Sequence, residues 1–140
     1  MPCAKILVVD DSRDFLDFCR LTLRHKYEVV LATSGEECEE LIQKEKFDLL
    51  LLDIRLPQMD GLTLAEKIKS DPETANMPII IMTGLVSDTD LPAGFWKLGT
   101  PAQGFLTKPM DTGRLLQEVQ KVLAKARGIE LSEPPRGGYL

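Results

Sequence analysis

The chain is poor in the residues that build most metal and redox sites. It has one histidine and three cysteines among 140 residues. Cys3, Cys19 and Cys38 are an odd number and form no C-x-x-C pair, which argues against a disulfide framework or a zinc site and for reduced thiols. Cys19 and Cys38 fall where helices would turn apolar faces inward, and there cysteine serves as a small hydrophobe. His25 has no evident partner and reads as structural or exposed. No apolar run approaches the roughly 20 residues of a membrane helix. The start, Met1-Pro2-Cys3-Ala4-Lys5, passes at once into a strand-like run without the layout of a signal peptide. A basic excess is also missing. The formal net charge is −5, with no Lys/Arg stripe to neutralise phosphates. Direct nucleic-acid binding and tight membrane-surface binding are therefore not expected. These absences together suggest a cytoplasmic protein.

What the chain has is apolar mass: 44% of it is hydrophobic, enough for one buried core. Five β-branched or Leu-rich runs punctuate it, at Lys5–Val9, Tyr27–Ala32, Asp48–Leu52, Ile79–Thr83 and Gly104–Thr107. Several are nearly continuous in apolar residues, the mark of parallel strands buried on both faces. Helical stripes lie between them: Phe15, Cys19 and Leu23, then Cys38, Leu41 and Ile42, then Leu64, Ala65 and Ile68. A last stripe, Leu115, Leu116, Val119, Val122 and Leu123, follows a cap at Asp111 or Thr112. Alternation of this kind predicts an α/β fold of (βα)₅ type, a doubly wound parallel five-stranded sheet with helices on both faces. Pro92, Gly94, Gly99 and Pro101 predict a short or distorted fourth helix. Residues 1–127 form the expected domain, and 128–140, with Glu133-Pro134-Pro135-Arg136-Gly137-Gly138, a flexible tail or the start of a linker.

Ligands of open parallel sheets bind outside the carboxyl ends of the strands. Asp10 and Asp11 follow the first strand, Asp53 ends the third, Thr83 ends the fourth, and Lys108 with Pro109 stands just past the fifth. Carboxylates crowded on one rim raise each other's pKa unless a cation neutralises them. Hard oxygen ligands without a His or Cys cluster suit Mg²⁺. A hydroxyl from Thr83 and the compact charge of Lys108 fit a phosphoryl group, completing what phosphoryl transfer to a carboxylate nucleophile requires. Each residue also has a plainer reading. Asp10-Asp11-Ser12 is a helix-capping string in which one acid caps while its neighbours face the metal, Asp14 assisting. Asp53 opens the turn Leu56-Pro57-Gln58-Met59-Asp60-Gly61. Thr83-Gly84 is a strand exit, and Lys108 a solvated lysine. Only their convergence on one edge favours chemistry.

The string Ile6-Leu7-Val8-Val9-Asp10-Asp11-Ser12 resembles the opening of response-regulator receiver domains. Leu51-Leu52-Asp53 through Asp60-Gly61 is similar to their phosphorylation-site strand and turn, Thr83 matches the switch hydroxyl, and Lys108-Pro109 the lysine–proline pair. The likeness runs from about Lys5 to about Lys125. It implies a flavodoxin-like sheet of order 2-1-3-4-5 and phosphorylation of Asp53 by a sensor histidine kinase or phosphotransfer protein. It also implies Mg²⁺ held by the Asp11 and Asp53 side chains, by Asp10 directly or through a metal-bound water, and by the Arg55 carbonyl, with Thr83 and Lys108 on the phosphoryl group. A Thr83–Phe105 switch and a cis Lys108–Pro109 bond belong to the same pattern. The output would be a downstream protein target or a fused output domain.

The stretch from Thr83 to Lys108 is a few positions longer than the family's usual one, on a face that receivers use for output or for pairing as homodimers. Phe95 and Trp96 in it read as a partner anchor or as core filler. Two other functions compete. A Mg²⁺-dependent phosphohydrolase of the haloacid-dehalogenase kind needs a second Asp two places after the nucleophile, where Arg55 stands. A pseudo-receiver acting only as a docking module would not need the full acidic set. The expectation is thus a phosphoacceptor switch rather than an enzyme with an external substrate.

Overall fold

The computed structural model describes residues 3–56, 59–84 and 102–128. Its elements run β1 (Lys5–Val9), α1 (Arg13–Leu23), β2 (Glu28–Ala32), α2 (Gly35–Lys44), β3 (Leu49–Asp53), β4 (Arg55–Leu56), β5 (Met59–Asp60), α3 (Gly61–Ser70), β6 (Ile79–Thr83), β7 (Gly104–Thr107) and α4 (Thr112–Ala126). The five long strands form one parallel sheet in the order β2-β1-β3-β6-β7. Counting those strands alone, this is the expected 2-1-3-4-5. The distorted fourth helix, Phe95 and Trp96 lie outside the described residues.

The apolar runs become central strands because both their faces are covered. Leu50, Leu52, Ile79 and Ile81 join Leu7 and Val9 in a core with Cys38 of α2 and Leu64, Ala65 and Ile68 of α3. The alternate residues Ile6, Val8, Leu49, Leu51, Ile80 and Met82 form a second core with α1 and α4. A strand's side chains alternate between faces, so a run needs apolar residues at every position only when helices lie on both sides. The two outer strands are less covered: β2 is only part-buried for most of its length.

Each described helix starts at a side chain that accepts a hydrogen bond from its first turn. Ser12 takes the Phe15 amide, Ser34 that of Glu37, Asp60 that of Leu62 and Asp111 that of Arg114. The choice between Asp111 and Thr112 falls to Asp111. At α1 the cap is Ser12 and neither aspartate. Asp10 Oδ1 instead accepts from the Ser12 amide at 2.9 Å, closing a turn that leaves its other oxygen for the rim. The buried stripe of α1 is Leu16, Cys19 and Leu23, and Phe15 lies half-buried at its margin. At the other end of the fold, α4 stops at Arg127 and Gly128, whose φ of 73° is the left-handed conformation that glycine allows after a helix.

The turn after β3 is a two-rung antiparallel pair, Arg55↔Asp60 and Leu56↔Met59, which brings Gly61 back over the end of β3. Gly61 donates its amide to the Ile54 carbonyl at 2.9 Å. A Cβ there would run into the Asp53 carbonyl oxygen, and into Ile54 Cα at 2.6 Å. These are backbone atoms and cannot swing aside. Gly61→Ala is expected to destabilise by about 1–3 kcal/mol, read as a lower urea midpoint. Cys19 and Cys38 are buried, which pushes both thiols up to about 12, whereas Cys3 is exposed. A maleimide at mildly alkaline pH should therefore modify Cys3 alone in the native protein and all three thiols in denaturant.

Candidate functional site

The carboxyl ends of β1 and β3 lie side by side, with Val9 level with Leu52 in the register. Asp10 follows the first and Asp53 ends the second. Asp10 is fully buried and Asp53 is 6% exposed, while Asp11 faces solvent. One carboxylate oxygen from each of the three acids falls within 4.8 Å of the others. Asp53 is held by its neighbour in sequence: its Oδ1 accepts from the Arg55 amide at 3.0 Å. Its second oxygen, Oδ2, points at the Lys108 ammonium 3.2 Å away, and the same ammonium pairs with Asp10 Oδ2.

Lys108 reaches the acids from the far side of the sheet. Its amide donates to the Thr83 carbonyl at 2.8 Å, fixing the chain just beyond β7, and the Lys108–Pro109 peptide bond is cis. The ammonium also sits over the ring of Phe15, 4.2 Å from its centroid. Phe15, Phe18, Gly84, Lys108, Pro109 and Met110 line a recess of about 410 Å³ beside the acids. A larger groove of about 740 Å³, bordered by Lys44, Phe47, Met77 and Arg127, holds none of the rim residues.

Burial is the main influence on Asp53 and raises its pKa above the ordinary carboxylate range. The Arg55 amide works against it, Asp10 adds to it, and Lys108 opposes it. On Lys108, burial acts downward, but the hydrogen bond to Asp10 and the charges of Asp53 and Asp10 outweigh it, so its pKa lies above that of a free lysine. The rim is thus a cluster of like charges, two of its three carboxylates buried, with the Lys108 ammonium as their counter-ion. The acids fit a hard divalent cation. Their donors are all oxygen, two of the three are withdrawn from water, and the single ammonium paired with them among the described residues leaves the set net anionic.

Thr83 is buried at the end of β6, level with Thr107. Phe105 is half-buried against the α2–α3 core and level with Ile81. Strand alternation puts Thr83 on the same face as Ile81, so Thr83 and Phe105 are diagonal neighbours on adjacent strands. The structure therefore brings together Asp10, Asp11, Asp53 and Lys108 through their side chains, with Arg55 joined to Asp53 through its backbone. Thr83 stands at the same rim, with Phe105 one row behind.

Two participants were not singled out from the sequence. Phe15 reads there as one more apolar helix position, and its place under Lys108 depends on how α1 packs against the sheet and α4. Glu118 is buried in the apolar stripe of α4. Its carboxylate is paired with Arg114 at 3.0 Å and Lys121 at 3.3 Å, and accepts from the Phe105 amide at 3.3 Å. The spacing of Arg114, Glu118 and Lys121 signals the ion pairs, but nothing local signals the contact with strand β7.

Residues 6–120 match the family model described as the response regulator receiver domain. The protein PilH of Pseudomonas aeruginosa is 34% identical over 122 residues, spanning 86% of this chain and 98% of PilH. The response regulator PleD of Caulobacter vibrioides is 35% identical over 120 residues, covering 85% of this chain but only 26% of PleD. Among solved structures, a CheY-like receiver domain protein from Methanospirillum hungatei superposes with a TM-score of 0.79 at 31% identity, covering 90% of this chain and 98% of that one. The chemotaxis response regulator CheY4 of Vibrio cholerae gives 0.76 at 30% identity, covering 86% and 98%. The flavodoxin-like sheet, the acidic rim and these likenesses agree, and the chain belongs to the response regulator receiver domain family.

Proposed function

We propose that the protein is a two-component phosphorelay switch that accepts a phosphoryl group on Asp53. The observation that carries this reading is the convergence on Asp53: a carboxylate held by the Arg55 amide, with the Lys108 ammonium 3.2 Å from its outer oxygen and two further acids beside it. Asp53 Oδ2 attacks the phosphorus of a phosphohistidine carried by a sensor histidine kinase or phosphotransfer protein. A P–O bond forms and the P–N bond to the donor breaks. Lys108 draws toward the new phosphoryl oxygens, and the Thr83 hydroxyl takes one of them. Asp10, Asp11, Asp53 and the Arg55 carbonyl would hold Mg²⁺, which when bound neutralises the acids and the transferring group. The Thr83–Phe105 pair then shifts a two-state equilibrium read by a downstream protein or by an output domain.

On this reading the chain catalyses only its own phosphorylation and dephosphorylation, with residues 1–127 as the receiver unit. The chain spans nearly all of PilH and about a quarter of PleD, so a free-standing receiver and a receiver within a longer chain both have counterparts among its relatives. No described helix is long and apolar enough to cross a membrane, in keeping with a cytoplasmic site of action.

Acetyl phosphate with Mg²⁺ should label the protein to about one phosphoryl group per chain, with labelling lost on chelation and in Asp53→Asn. Equal labelling of wild type and Asp53→Asn would refute the acceptor assignment. Sustained hydrolysis of a phosphomonoester, many turnovers per chain, would replace the switch with a phosphohydrolase.

The same variant has a second expected effect, on stability. Because burial raises the folded pKa of Asp53, the folded protein binds its proton to higher pH than the unfolded chain does. Stability from this group therefore declines as pH rises through the interval between the unfolded and folded values, and stays lowered above it. Asp53→Asn should raise the melting temperature in chelator at neutral pH. The gap should narrow as pH falls through that interval toward the ordinary carboxylate value of about 4. A variant that melts lower than wild type at neutral pH would mean that attraction to Lys108 outweighs burial.

A further inference from the structure

We infer that Phe15 is a positioning residue for phosphoryl transfer: the face of its ring holds the Lys108 ammonium over the Asp10–Asp53 pair. A lysine ammonium is a point charge on a flexible four-carbon stem, so a rim lysine must be fixed from more than one side to be ready for a phosphoryl group. Asp10 and Asp53 engage two of its three N–H directions. The ammonium also meets the ring of Phe15, 4.2 Å from the centroid, within cation–π range.

The ring is itself held in place. Phe15 is in the first turn of α1, its amide donates to the capping Ser12 hydroxyl at 3.3 Å, and its ring leans on Phe18 with centroids 5.8 Å apart. Core filling alone does not explain an aromatic here, because the buried stripe of α1 is Leu16, Cys19 and Leu23 and Phe15 is at its margin. The ring differs from the other two partners in a way that matters for the reaction. Phosphorylation changes the charge and shape of Asp53, and cation binding competes for Asp10. Phe15 is neutral and touches neither event, so its hold on Lys108 persists through the reaction while the carboxylate partners change.

This inference rests on Asp53 being the acceptor, and the test separates the two. Labelling by acetyl phosphate excludes any effect of partner docking on the same recess. Wild type, Phe15→Leu, Phe15→Tyr, Lys108→Met and the Phe15→Leu/Lys108→Met double variant are compared for the rate constant of Asp53 labelling. Phe15→Leu should slow it about two- to fivefold, Phe15→Tyr should restore the wild-type rate, and Phe15→Leu should cost nothing further once Lys108 is methionine. Wild-type labelling matched by Phe15→Leu overturns the inference, as does an equal loss in the Lys108→Met background. No labelling of wild type removes the Asp53 reading and this inference with it. A second readout needs no activity: the Lys108 ε-methylene protons should resonate upfield in wild type and in Phe15→Tyr, and return to the ordinary lysine position in Phe15→Leu. An unshifted wild-type signal overturns the ring contact directly.

Discussion

Two carboxylates, Asp10 and Asp53, lie almost out of water at the ends of adjacent strands, and the Lys108 ammonium lets both remain there. Withdrawn from solvent and close together, they would otherwise repel each other with no counter-charge at hand. Lys108 offsets one charge and leaves an excess of negative charge. Such a site is poised rather than settled: its excess negative charge suits a hard cation beside the acids. The features that support the rim can be understood as ways of keeping those three groups in register.

Several of those supports are backbone features. The Asp10 turn onto Ser12 uses one carboxylate oxygen locally and leaves the other for Lys108, while Ser12 takes over the helix cap. The Arg55 amide does the same for Asp53. Gly61 closes against the backbone of Asp53 and Ile54, so the short turn after β3 seals the end of the strand where the Asp53 carboxylate emerges. The Lys108 amide bonded to the Thr83 carbonyl ties the lysine's chain to the strand that carries the hydroxyl. Dense packing of β1, β3 and β6 on both faces keeps these ends from shifting relative to one another.

Much of this could be read from the residues in order. The unbroken run Leu49–Leu52 required a strand covered on both faces, and that requirement produced the two cores seen on either side of the sheet. The rim acids, Thr83 and Lys108 were legible because a parallel sheet presents all its strand ends on one edge, so position along the chain becomes position in space. The capping of α1 was less legible. Asp10, Asp11 and Ser12 are all good capping residues, and only the path of the chain leaving β1 decides that the serine caps and that Asp10 turns inward. The role of Phe15 was hidden for a related reason: an aromatic at a helical spacing reads as core, and whether it faces the core or the rim depends on a small rotation of α1 against the sheet. Glu118 shows the same limit, since its ion pairs follow from helix spacing while its bond to the Phe105 amide needs β7 beside α4.

By itself, then, the sequence determined the α/β alternation, the strands that must be central, and which chemical groups stand at strand ends, because periodicity and burial act locally along the chain. Only the tertiary structure decided which oxygen of each aspartate meets Lys108, that Ser12 rather than an acid caps α1, and that an aromatic ring lies under the ammonium. Those outcomes depend on distances between segments far apart in sequence. Asp10 and Lys108, 98 positions apart, become partners only when the sheet has brought their strands together.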